Sequence, residues 1–350
     1  MARVLKVNPL EPEAGPISEA ARAIRNGQLV AFPTETVYGL GADALNARAV
    51  RRIFEVKRRP PDNPIIVHIS ELEQLRFVAE EVPAEAERLA RKFWPGPLTL
   101  VLRRSERIPP EVSAGLHTVA VRMPAHRVAL ALIREAGTPI AAPSANLATR
   151  PSPTRAEHVL QDIGSEVELI LDGGETPLGV ESTVLSLVSE PPLLLRPGAV
   201  TLEELREELG RVELSEAARA ERPFEGKAEA PGMKYRHYAP RAQLVVVEGE
   251  PGRVEEKLAL LAKCALQEGR RVGVLATDQA LPLCPEGVVI AALGDRRDPK
   301  ALAHNLYQRL RELDSSGVEV IFAEGFPLEG LYLALANRLR KAAGYVIVRA

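Results

Sequence analysis

The chain has 350 residues, of which 46% are hydrophobic and 26% charged, with a formal net charge of −2. That length holds two domains with cores of their own, and the balance is that of a soluble globular protein without a global field for nucleic acid or membrane. No apolar run is long enough for a bilayer, the N-terminus lacks the apolar core of a signal peptide, and Cys264 and Cys284 have neither metal nor redox spacing, which together point to a reducing cytoplasm and no membrane partner.

In chain order, the spacing predicts a helix over Ile17–Asn26 closed by Gly27, then a buried strand, Leu29–Phe32, that breaks at Pro33. Asn46 caps a helix through Val56, which runs into Lys57-Arg58-Arg59, the proline-stiffened loop Pro60–Pro64 and a buried strand, Ile65–Ile69. A helix over Pro83–Phe93, strands at Leu98–Leu102 and Thr118–Met123, a helix over Val128–Glu135 and a short strand, Pro139–Ala142, follow. Thr154/Glu157 and Thr201/Glu204 read as capping boxes for helices ending at Gly164 and Leu209. Strands at Leu169–Leu171, Thr183–Val188 and Leu193–Leu195 come in succession, so this half is a mixed α/β sheet rather than a simple βαβ series.

From about Val212 to Arg241 the apolar period dissolves into a linker rich in Ala, Glu, Pro and Gly. Its Pro231–Pro240 segment holds Tyr235, His237 and Tyr238 among cations, and two readings stand: an aromatic anchor onto a domain, or a lid over a ligand. Beyond it, strands at Leu244–Val247, Val272–Ala276, Val288–Ile290, Val318–Ala323 and Tyr345–Val348 alternate with helices Arg253–Glu268, Lys300–Asp314 and Leu331–Ala343. That alternation predicts a doubly wound, Rossmann-like parallel sheet. The expected domains are residues 9–210, a linker over 211–241 with its ligand-covering segment at 231–240, and residues 242–350.

Gly39-Leu40-Gly41-Ala42-Asp43-Ala44 fits the dinucleotide fingerprint, yet the preceding strand ends too early, near Phe32, and the next helix starts only after Asn46. No Walker loop, H-E-x-x-H or G-x-S-x-G occurs. What remains is a set of polar residues at strand ends: Thr34 to Thr36, His68, Arg122, Ser144, Asn146, Ser182 and Arg196. Singly, each also reads as a cap, a paired arginine or a core histidine, and Lys57-Arg58-Arg59 also reads as a solvated helix end. Together they supply cations, hydroxyls and a carboxamide with little that acts as a strong base, which suits phosphate binding and charge stabilisation.

Lys57-x-Arg59 followed by Ser144-x-Asn146 resembles the K-x-R…S-x-N signature of the YrdC-like family. Pro33–Gly41, Trp94–Thr99, Val121–Pro124, Ala142–Asn146 and Glu181–Thr183 resemble its other motifs, and the linker and tail resemble the long, two-domain threonylcarbamoyl-AMP synthases. The resemblance implies a twisted mixed α/β domain around a concave basic surface, and the conversion of L-threonine, bicarbonate or CO2 and ATP to L-threonylcarbamoyladenylate and pyrophosphate. It further implies Lys57, Arg59, Ser144 and Asn146 as catalytic phosphate-binding residues. Asn63, Thr118, Ser152, Arg196 and Tyr235 are the implied further ATP contacts, with Tyr235 closing over the nucleotide. Thr36, His68, Arg122, Ala142 and Ser182 are implied to line the threonine pocket, with Arg122 as the fork for its carboxylate. Mg2+ is expected on the ATP phosphates rather than on side chains. The implied partner is a downstream tRNA threonylcarbamoyl transferase; the rival reading is a non-enzymatic RNA-binding module, in which Arg51, Arg52 and Lys57–Arg59 contact the phosphates of an RNA such as tRNA.

Overall fold

The computed structural model describes every residue except Lys227, Gly232 and residues 234–236. Two units arise: Met1–Ala148, Ser152–Ala218 and a stretch beginning at Glu225 form the first, and Thr149–Pro151, Arg219–Phe224 and the remainder through Ala350 form the second. Among the described residues no helix is long and apolar enough to cross a membrane.

The first unit's strands are β1 (Arg3–Lys6), β2 (Val30–Phe32), β3 (Gly39–Asp43), β4 (Ile66–His68), β5 (Leu98–Arg103), β6 (Thr118–Arg122), β7 (Ile140–Ala141), β8 (Leu169–Asp172), β9 (Thr183–Ser186), β10 (Leu193–Arg196) and β11 (Glu213–Leu214). They join in the order β1-β8-β2-β3-β7-β4-β6-β5-β9-β10-β11, with parallel and antiparallel pairs mixed. Alternation along each strand builds two cores, one per face. Leu29, Ala31 and Ile170 enter the core beneath helices Ala47–Lys57 and Ala84–Phe93. Val30, Phe32, Leu169 and Leu171 enter the core beneath helices Ala14–Arg25 and Arg127–Ala136.

The glycine-rich stretch is strand β3 itself, antiparallel to β2, with Val30 opposite Gly41. A Cβ on Gly41 would lie 2.7 Å from Phe32 Cε1 and 2.9 Å from Ile140 Cγ2, so the glycine serves packing beneath an aromatic ring. Gly41→Ala is therefore expected to cost about 1–3 kcal/mol, read as a lower urea midpoint at unchanged slope.

Several local expectations are corrected. Arg3–Lys6 forms an edge strand on β8, which four residues of unremarkable pattern do not announce. Thr154 does not cap: the helix Ala156–Ile163 starts after Arg155, and the Thr154 amide instead donates to His158 Nδ1. The Thr201/Glu204 box does form. Within the stretch read as a bare linker, Glu213–Leu214 pairs with β10 and Glu216–Arg219 makes a helical turn, both too short to show a period.

The second unit is a five-stranded parallel sheet, β12 (Gln243–Glu248), β13 (Val272–Ala276), β14 (Val289–Ala292), β15 (Val320–Glu324) and β16 (Ile347–Arg349), in the order β14-β13-β15-β12-β16. Helices Pro251–Gln267, Pro299–Ser315 and Tyr332–Ala342 connect them, so the doubly wound layout is present. Asp298 caps the second of these through the Lys300 and Ala301 amides, with Pro299 at the first helical position. The linker end docks here: the Tyr238 ring stacks on Tyr307 at 5.4 Å, as an aromatic anchor does.

Candidate active site

The helix Ala47–Lys57 ends with Arg58 in the left-handed region, at φ 51° and ψ 43°. This reversal turns alternate cations to opposite sides: Lys57 and Arg59 are buried at 3% and 8% exposure, while Arg58 faces solvent. Lys57 and Arg59 are thus not a solvated helix end. Lys57 Nζ donates to Ser144 O at 2.5 Å and Asn146 O at 2.6 Å, with Asn146 Oδ1 at 3.5 Å. Burial holds its amine well below the usual lysine range, the Arg59 charge adds to this, and Asp162 and Glu181 oppose it. Arg59 lies over the Phe54 ring and donates from Nη2 to Pro64 O at 2.8 Å, which fixes the proline loop. Asn63 in that loop is fully buried, and neither amide atom has a hydrogen-bond partner among the described residues.

The Ser144–Asn146 loop is held by the 33–40 segment. Gly39 and Ser144 form a β-bridge, Ala145 N donates to Tyr38 O and Leu40 N donates to Pro143 O. Ala142 is buried beside Gly39, where an added Cβ would meet the Ala142 methyl at 3.3 Å. The same segment carries Thr36, whose hydroxyl accepts from Arg122 Nη1 at 3.0 Å and shares a hydrogen bond with Thr34 at 2.8 Å. Arg122, at the end of β6, also donates from Nε to Gly96 O at 3.2 Å. Its Nη2 lies 2.6 Å from Glu35 Oε2. That pair touches without a directed hydrogen bond, since among the described residues neither Glu35 oxygen nor Arg122 Nη2 meets hydrogen-bond geometry.

His68 pairs in register with Arg122, with its ring edge-on to Phe32 at 6.2 Å and no hydrogen-bond partner for Nδ1 among the described residues. Burial first, and Arg122 second, push its pKa down to about 3 from 6.5. A neutral His68 in the fold and a titrating one in the unfolded chain give stability that is fully present above pH 6.5 and is lost as pH falls towards 3. Urea midpoints at pH 7 and pH 4.5 should therefore fall further for the wild type than for His68→Gln.

Ser182 closes the group: its Oγ lies 2.7 Å from Thr99 Oγ1 and accepts from Arg196 Nη2 at 3.1 Å. Arg196 also donates to Ser182 O at 3.0 Å and to Pro231 O at 3.2 Å, which ties the start of the 231–240 segment to this end of β10. Ser152 Oγ donates to Glu181 Oε1 at 2.5 Å.

Thr118 stands apart, four residues before Arg122 on the same strand face and so roughly 13 Å away. Tyr235 lies outside the described residues. Glu35 and Glu181 put two buried carboxylates, which are weak bases, among these groups. Their motif neighbours were legible, but a carboxylate's role depends on the partner it meets across the sheet. Of the five cations named for phosphate contact, Arg51 pairs with Glu111 and Arg52 with Glu168 at the surface, while Lys57 and Arg59 are buried. Of those five cations, only Arg58 is left exposed and outside an ion pair with Glu111 or Glu168.

A family model described as Telomere recombination matches residues 22–198, and one described as Threonylcarbamoyl-AMP synthase, C-terminal domain, matches residues 200–344. A threonylcarbamoyl-AMP synthase of Pyrococcus abyssi (strain GE5 / Orsay) is 52% identical over 330 residues, covering 94% of each chain. The Bacillus subtilis (strain 168) protein of the same name is 47% identical over 336 residues, covering 95% of this chain and 94% of its own. The crystal structure of P. abyssi Sua5 complexed with L-threonine superposes at a TM-score of 0.95 and 50% identity over the whole of both chains. The chain belongs to the two-domain threonylcarbamoyl-AMP synthase family, whose first domain is YrdC-like.

Proposed function

We propose that the chain is a nucleotidyltransferase that makes L-threonylcarbamoyladenylate and pyrophosphate from L-threonine, bicarbonate or CO2, and ATP, the first step of threonylcarbamoyladenosine formation on tRNA. One observation carries the reading. The Lys57 ammonium is bonded to the Ser144–Asn146 loop, and that loop is joined through Gly39 and Tyr38 to the segment whose Thr36 holds Arg122. A phosphate-binding cation and a carboxylate-binding fork therefore share one scaffold.

Threonine's α-ammonium gives up one proton to solvent, the free amine takes up CO2 and releases a second proton to give a carbamate, one carbamate oxygen attacks the α-phosphorus of ATP, and pyrophosphate leaves. The attacking oxygen is already anionic, so this step needs no proton acceptor. The barrier lies in bringing two anions together and in the charge on the departing pyrophosphate. Lys57 and Arg59 supply fixed positive charge for both, with Asn63, Thr118, Ser144, Asn146, Ser152 and Arg196 as further nucleotide contacts. Thr36, His68, Arg122, Ala142 and Ser182 line the amino-acid side. Mg2+ would be carried by the phosphate oxygens of ATP, where it would add positive charge beside the departing pyrophosphate. Residues 9–210 do this work.

The test is pyrophosphate release with ATP and bicarbonate, with and without L-threonine. Release that ignores threonine would end the proposal. L-serine, which lacks one methyl, should react at a kcat/KM about 10–200-fold lower, because one methyl in an apolar pocket is worth only about 1–3 kcal/mol.

A further inference from the structure

Two deeply buried arginine–glutamate pairs among the described residues differ in one respect. In the second unit, Arg340 grips both oxygens of Glu248, Nε to Oε1 at 2.6 Å and Nη2 to Oε2 at 2.9 Å, and Arg349 adds a third bond at 2.7 Å. The side chains of that pair are 4% and 6% exposed. Arg122 and Glu35 are buried alike, at 4% and 7%, and approach to 2.6 Å. Yet among the described residues neither Glu35 oxygen accepts a directed hydrogen bond, and Arg122 Nη2 donates none. The rest of the Arg122 fork is fixed by Gly96 O and Thr36 Oγ1, so the looseness is confined to the edge shared with Glu35. A buried carboxylate normally has its lone pairs filled, since leaving them empty is costly. The Arg340 pair has the closure of a structural bridge, whereas the Arg122 pair has donors and acceptors to spare.

We propose that Glu35 and Arg122 together read the two charges of a free α-amino acid, Arg122 binding the α-carboxylate and Glu35 the α-ammonium. This rests on the assignment of L-threonine as substrate. An amino-acid zwitterion carries opposite charges on adjacent carbons, and an adjacent guanidinium and carboxylate match it in sign and spacing. The ammonium brings three N–H donors to a carboxylate whose oxygens accept none, and the α-carboxylate brings acceptors to Nη2. The pair thus discriminates against acids that lack the amine, which a lone arginine would admit.

The experiment measures binding of L-threonine and of (R)-3-hydroxybutyrate, which is threonine without its amine, to the full chain by ligand-observed NMR. The wild type should prefer L-threonine. Glu35→Gln should lose about 10–100-fold in affinity for L-threonine, the worth of one charge-assisted hydrogen bond, while its affinity for (R)-3-hydroxybutyrate stays within about threefold. Glu35→Asp, which keeps the charge, should keep the preference, and ATP binding by both variants reports an intact fold. Equal losses for the two ligands would mean that Glu35 only steadies Arg122, and would overturn the proposal. So would undiminished L-threonine binding by Glu35→Gln, or a wild type that binds both ligands equally. A wild type that binds (R)-3-hydroxybutyrate but not L-threonine overturns the substrate assignment itself, and the ammonium site with it.

Discussion

Lys57→Met will lower kcat/KM for threonine-dependent pyrophosphate release by on the order of 10²–10³-fold while leaving a folded protein. The amine is buried, and its charge is disfavoured by desolvation and by Arg59. Replacing it with an apolar side chain of similar length therefore removes a costly buried charge along with two hydrogen bonds. Those two effects on stability oppose each other, so the thermal midpoint should move little. Catalysis has no such offset. The ammonium is the group aimed at Ser144 and Asn146, and its loss removes both the charge and the clamp on that loop. Lys57→Arg should not rescue, because a planar fork cannot replace a point donor shared between two carbonyls 2.5 and 2.6 Å away. Full activity in Lys57→Met would remove the residue from the mechanism.

The second large effect is on stability. Arg122→Ala should destabilise the protein by about 3–5 kcal/mol, because it strands the Glu35 carboxylate at 7% exposure and removes the partners of Thr36 and Gly96. In a unit of this size that is a fall in Tm of roughly 6–20 °C. Adding Glu35→Gln should recover part of the loss, since an amide costs less to bury than an unpaired charge. If the double variant were as unstable as the sum of the singles, the two groups would not be coupled. Threonine binding should be lost in both variants, as each lacks the guanidinium. Only the wild type and Glu35 variants that keep Arg122 can separate carboxylate from ammonium recognition.

Much of the architecture could be read from residue order. Leu29 to Phe32 alternates between two faces because successive strand side chains point oppositely, and each face found its own core. The second unit's parallel sheet followed from strands and helices taken in turn. Arg3–Lys6 and Glu213–Leu214 escaped notice because they are short and mostly exposed, so no buried apolar run marks them, and each forms only where its partner offers an edge. Gly39–Asp43 looked like a phosphate turn, and only the Phe32 ring packed against it explains Gly41.

By itself, the order of residues determined which groups are available: the alternating cations at 57 and 59, the hydroxyl and carboxamide at 144 and 146, and the arginine ending a buried strand. Tertiary structure alone decided which of them meet. Lys57 and Ser144 are 87 residues apart, Arg122 and Thr36 are 86 apart, and Ser182 and Thr99 are 83 apart. Periodicity reports the direction of a side chain from its own backbone. Contact across a sheet depends on strand order, which long crossovers set. The burial of Lys57 and of the Arg122–Glu35 pair is a property of that order, because a charge can leave water only where the fold has already brought its partners.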